Sequence, residues 1–164
     1  SLGFLKKSHL ACALLSLGCM LTLQENKAQT QIENQEISFP LKLNFPSGIL
    51  GFEEIKEYTL QPLPDLDPFF WMEGDGNSDQ AFLMVPPAHV VDTYSVEITQ
   101  DDVETLGLNS TEDAFILNIV TFSPNQTMTV NLKGPIVVNR HNFTAKQIVP
   151  RNAAVLPTSF PLNN

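Results

Sequence analysis

Cysteine is absent from this sequence after residue 19; Cys12 and Cys19 both lie in an apolar N-terminal run. The remainder therefore has no disulfide framework and no thiolate metal site, which is compatible with a cytosolic domain. Histidine is scarce too. His9, His89 and His141 are far apart, and none has a ligand partner at i+2 or i+4, so they read as surface or turn residues. Lys and Arg number 9 against 18 Asp and Glu, an imbalance that repels a phosphate backbone and removes support for nucleic-acid binding. No heptad pattern or long amphipathic helix is present, which argues against a helical dimer seam.

Candidate chemistry fails residue by residue. Asp75, Asn77 and Asp79 open like a calcium loop, but Gln80 replaces the required glycine and Pro86 stands where the bidentate Glu belongs. Asp65 and Asp67 could pair for acid–base work, yet they sit among prolines with no desolvating surroundings and read as a solvated face. Trp71, with Phe69 and Phe70, reads as core rather than an aromatic platform. No catalytic residue, metal or cofactor is expected.

What is present is a chain of 164 residues, 43% apolar and 16% charged, enough for one globular domain with a sizeable core. The net charge is −9; residues 1–36 hold three Lys and three acids, so the excess sits wholly on the rest. Such a domain attracts a basic protein surface, although the same acids also serve solubility.

The N-terminal segment pulls another way. Lys6-Lys7 precede an apolar run over 10–23, a basic n-region followed by an h-region of signal-peptide length. The run is too short and interrupted for a membrane span. Lys27-Ala28-Gln29 is a poor cleavage site, and Ser16-Leu17-Gly18-Cys19 departs from a lipoprotein box at its Ser. Three sequons, at Asn109, Asn125 and Asn142, would suit export. Residues 24–36 are polar and read as a tether. Residues 1–35 are expected to lie outside the fold, and 36–164 to form it.

Within 36–164 short strands dominate. Leu41, Leu43 and Phe45 alternate with Lys42 and Asn44, the pattern of a half-buried strand over 38–45. Further strands are expected over 58–63, 69–73, 81–85, 94–98, 114–122, 127–132, 136–138 and 143–149, with one helical turn over 53–58. Thr99 caps a short helix with acids in its first turn, and Gly107 ends it. Gly134-Pro135 marks a kink or bulge. The pattern is an all-β barrel or sandwich: a small closed or partly open β-barrel of short antiparallel strands with one short helix.

The most informative stretch is Phe45-Pro46-Ser47-Gly48-Ile49-Leu50-Gly51-Phe52-Glu53-Glu54. Gly48 and Gly51 tolerate positive φ, and Pro46 holds Phe45 extended. Ile49, Leu50 and Phe52 are expected to turn back to the core, making a tight, ordered loop. It carries no nucleophile set and no phosphate cradle, so it reads as a surface built for shape, suited to a partner rather than a substrate. Glu53, Glu54 and Glu57 form an acidic patch beside it, and Asp101, Asp102 and Glu104 a second one on the helix.

Two later segments, Pro68-Phe69-Phe70-Trp71-Met72-Glu73 with Ala81-Phe82-Leu83-Met84-Val85, and Thr129-Val130-Asn131-Leu132-Lys133-Gly134-Pro135-Ile136-Val137-Val138-Asn139, complete a pattern. Together with the loop, in this order and spacing, they resemble the FliW family of flagellar assembly factors, over about 37 to 150. The resemblance implies a non-enzymatic, cytosolic regulator with two partners: flagellin, bound through its terminal helical region, and the small, basic, RNA-binding translational repressor CsrA. Flagellin would occupy the protein while plentiful; once exported, it would free the protein to bind CsrA and relieve repression of flagellin translation. The partner contacts would come from Phe45, Gly48, Gly51, Phe52, Glu53, Glu54 and Glu57 on the loop and from Asn131, Lys133 and Pro135 on the third segment. The rival reading, resting on residues 1–30, is an exported or lipid-anchored β-domain with a structural or adhesive role; an unrecognised hydrolase is a weaker third.

Overall fold

The computed structural model describes residues 20–25, 37–76 and 78–162. The strands are β1 (Met20–Glu25), β2 (Leu41–Asn44), β3 (Glu57–Pro62), β4 (Phe70–Gly74), β5 (Ala81–Val85), β6 (Tyr94–Thr99), β7 (Ala114–Phe122), β8 (Met128–Val130), β9 (Ile136–Asn139), β10 (Ala145–Gln147) and β11 (Phe160–Pro161), and the helix α1 (Gln100–Leu106) follows β6. A nine-stranded sheet runs in the order β10-β9-β7-β5-β4-β3-β2, with β8 paired to β7 and β11 to β8. Every pairing between strands is antiparallel.

The sheet curls until its two end strands touch. Asn44 N donates to Phe143 O at 3.0 Å, and a single bridge joins Asn44 to Thr144. Among the described residues no ladder continues beyond that point, so the architecture is a partly open barrel, the mostly-β fold with one helix that the strand pattern predicts. Alternation explains how it fills. Leu41 and Leu43 of β2 are buried while Lys42 and Asn44 are exposed. The interior holds Leu43, Phe45, Tyr58, Leu60, Met72, Met84 and Leu117.

β7 is buried on both faces. Phe115 and Leu117 point into the barrel, whereas Ile116 and Val120 join a second core with Tyr94, Val96, Ile98, Val103 and Leu106. That second core lies under β6 and α1. Thr99 caps α1, accepting from Asp102 N at 3.2 Å, and Gly107 ends it at φ +69°.

The expected division at residue 36 falls inside the described fold. β1 pairs with β6 along its length, and Leu23 is buried in the second core. Period-2 patterning was hidden there because the stretch continues an apolar run. Lys6-Lys7, Cys12, Cys19 and the rest of that run lie outside the described residues, as does the tether over 26–36. Among the described residues no helix is long and apolar enough to cross a membrane.

Three local expectations are corrected. Residues 53–58 form no helical turn: Phe45 N draws the Lys56 carbonyl into a 2.7 Å bond, and β3 begins at Glu57. The last strands are shorter than expected, β8 spanning Met128–Val130 and β10 Ala145–Gln147. Trp71 is half-buried and belongs to neither core cluster, because Met72 takes the inward position of β4.

Candidate partner-binding groove

Where the barrel seam opens, β2 runs into the glycine loop. Gly48 N closes a turn on Phe45 O at 3.0 Å, and Phe52 N bonds Ile49 O at 2.7 Å. Gly48 has φ +68°, and a Cβ there would lie 2.5 Å from the Glu53 Cα, so only glycine fits. Gly51 has φ +87° but open space around it. Ile49 anchors the loop in the core and Phe52 packs edge-on against Phe82 at 5.6 Å. Leu50 does not turn back as expected: it is 78% exposed at the tip.

Glu53 secures the tip. Its carboxylate accepts from Gly51 N at 2.9 Å, and that bond holds its pKa below the usual carboxylate range, helped by its own N–H and by Lys56.

The opposite wall is the third sequence segment. Asn131 Oδ1 accepts from Lys133 N and Gly134 N, both at 3.0 Å, bending the chain after β8. Behind it, Asn118 of β7 is fully buried; its Nδ2 donates to Asn131 O at 2.9 Å and to the Tyr94 hydroxyl at 3.3 Å. The Tyr94 hydroxyl in turn donates to Leu132 O. Gln147 ties the walls together: its Oε1 accepts from Leu50 N at 3.0 Å, and its Nε2 donates to Gly134 O at 3.4 Å.

Between the walls lies a groove of about 390 Å³, lined mainly by carbon, with Leu50, Glu53, Asn131, Lys133, Gln147 and Val149 among its residues. Val149 is 76% exposed. Four of the expected contact residues, Gly48, Glu53, Asn131 and Lys133, thus meet at one site from segments about eighty residues apart in sequence.

The others do not. Phe45 is fully buried, stacked edge-on against Tyr58 at 5.0 Å, and Pro135 is buried as well, its carbonyl taken by Ile148 N. Gly51 is exposed at the tip, and Phe52 is half-buried against Phe82. Glu54 and Glu57 line a separate concavity with Lys56 and Asp75. Asp102 on α1 is engaged: it closes the capping box and takes Lys146 Nζ at 2.6 Å. Asp75 is held by Lys42 and by Thr59 Oγ1, and the Lys42 bond lowers its pKa. Gln147 and Val149 were missed by sequence reasoning; no motif marks them, since their role comes from the seam.

The groove offers one carboxylate, that of Glu53, and one ammonium group, that of Lys133, beside a mostly apolar lining. Among the described residues no three His, Cys, Asp or Glu come together as a metal site.

Comparison with known proteins bears on the fold as a whole. The FliW protein family model matches residues 23–162. The flagellar assembly factor FliW of Leptospira biflexa is 34% identical over 124 residues, covering 74% of this chain and 78% of that protein. The flagellar assembly factor FliW of Clostridium botulinum is 31% identical over 125 residues, covering 76% and 86%. A crystal structure of the flagellar assembly factor FliW superposes with a TM-score of 0.67 at 28% identity, covering 79% of this chain and 93% of that one. The match begins at residue 23, within β1, a strand in the segment expected to lie outside the fold.

Proposed function

The chain belongs to the FliW family of flagellar assembly factors, and we propose that it is a non-enzymatic regulator that binds flagellin and CsrA in turn. Free flagellin sets the fraction of the protein available to CsrA, through two competing equilibria on one molecule. It acts in the cytosol, where flagellin is made before export. The observation that carries this reading is the open-seam groove, which joins the loop and the third segment under an exposed Leu50 and Val149. Exposed apolar side chains at a concave, mostly apolar site mark a protein-binding surface. The acidic balance of the domain suits the basic partner, CsrA.

Calorimetry of the protein against purified flagellin and, separately, CsrA tests this. Each is expected to bind, and Leu50→Glu is expected to weaken at least one complex by about tenfold or more, as for an anchor residue. No complex with either partner at about tens of micromolar would remove the regulatory reading.

A further inference from the structure

β10 is the last strand of the sheet, with β9 on one side. In an antiparallel pair, alternate residues turn their N–H and C=O towards the partner strand. Asn139 N donates to Thr144 O, and Ile148 N donates to Pro135 O at 2.9 Å. The register Ala145–Val138, Gln147–Ile136 therefore turns the backbone of Ala145 and Gln147 to the outer edge, and the Ile148–Pro135 bond carries the same alternation on to Val149. Ala145 lies beside the Asn44–Thr144 bridge, where β2 still approaches. After Asn44 the chain turns away through Pro46 and Gly48, and the Gln147 side chain reaches across to Leu50. Gln147 and Val149 line the groove, and their edge backbone has no strand partner among the described residues.

Resting on the reading of this groove as a partner surface, we infer that the open seam takes up one extended segment of a partner protein as an added strand along the β10 edge. An unpaired strand edge is a template for such addition, with main-chain bonds supplying affinity and side-chain pockets specificity. The added strand seats an apolar side chain between Leu50 and Val149. Glu53 on the loop wall and Lys133 on the opposite wall select a basic residue on one flank of that side chain and an acidic residue on the other. The occupant is thus an extended, apolar-centred segment of mixed charge, rather than a helix laid across the groove.

The test uses the whole chain with two probes: purified flagellin, and dodecapeptides selected from a displayed random library. Bound peptide or flagellin is expected to protect the Gln147 and Val149 amides from hydrogen exchange, while Ile148, already bonded to Pro135, changes little. Val149→Pro removes one edge N–H and is expected to weaken binding about tenfold. Val149→Thr keeps shape and N–H and is expected to cost no more than about threefold. If Val149→Pro fails to fold, exchange on the wild-type complex decides. Binding without protection of Gln147 and Val149, or full-strength binding by folded Val149→Pro, overturns strand addition. Peptides that bind and protect while flagellin does not bind uphold strand addition and count against the flagellin reading. Flagellin that binds without protecting the edge does the reverse, and a groove that takes neither probe overturns both.

Discussion

Single residues carry two separable demands in the glycine loop. At Gly48 both φ and space exclude a side chain; at Gly51 only φ does. Gly51→Val is expected to cost about 1–2 kcal/mol, the strain of a left-handed non-glycine residue. Gly48→Ala is expected to cost more, above about 3 kcal/mol, because the Cβ meets backbone that cannot step aside. Urea unfolding of both variants checks the order; equal losses would mean that the loop relaxes around Gly48. The sequence made both glycines visible but could not rank them, since the neighbour that decides is Glu53 across the turn. Leu50 shows the same limit: an apolar residue in an ordered loop reads as core until the loop's direction is known.

Asp75 makes the residue-scale case for pH. Its pKa is lowered in the fold, first by the hydrogen bond from Lys42. A lowered folded-state pKa gives stability that is present above the unfolded value of about 4 and lost as pH falls through the folded value. Lys42 is mostly exposed, so Lys42→Met is expected to cost less than about 1 kcal/mol at neutral pH. The gap between wild type and variant should narrow on acidification below about pH 4. A gap that widens in acid would contradict the pairing.

At the scale of elements, β7 organises the molecule. Its extent was legible as a long apolar strand, but its two-faced burial was not, because the layers it packs against are long-range facts and Asn118 in its middle carries no local sign of burial. Asn118 instead hangs the 131–134 wall of the groove from the core through Asn131 O and the Tyr94 hydroxyl. Asn118→Ala is expected to destabilise by about 1–3 kcal/mol, taking a donor from the half-buried Asn131 carbonyl and leaving a small cavity. It should also raise hydrogen exchange in 131–134 more than in the 45–54 loop. A loss below about 0.5 kcal/mol would mean that the wall is held elsewhere. The short helix was legible down to its cap, since Thr99, the first-turn acids and Gly107 are local signals. β1 was not, because pairing with β6 is a long-range fact hidden inside an apolar run.

Over the whole molecule, some acids stay exposed at the groove, as Glu53 does even while it accepts the Gly51 N–H, and others are spent inside the fold. Glu53 flanks the groove, while Asp102 is spent on the helix cap and Lys146. Charge reversal at Glu53 and Glu54 is therefore expected to slow CsrA association more than it speeds dissociation. The effect should fade as salt rises, since exposed charges are screened within about 8 Å at physiological ionic strength. Stopped-flow binding across a salt series reads both rates. Asp102→Ala should lower the melting temperature with little change in association rate.

The barrel class was legible in the strand pattern, but the groove was not. It arises because the sheet stops short of closing, so that segments near residues 50, 132 and 148 share one opening. The most direct measurement of the central claim is a competition titration: the protein is saturated with CsrA and flagellin is then added, with all species followed by mass. The expected result is stoichiometric release of CsrA and formation of a flagellin complex, with no ternary species. A stable ternary complex, or CsrA that stays bound under excess flagellin, would contradict the exchange of two partners on one protein.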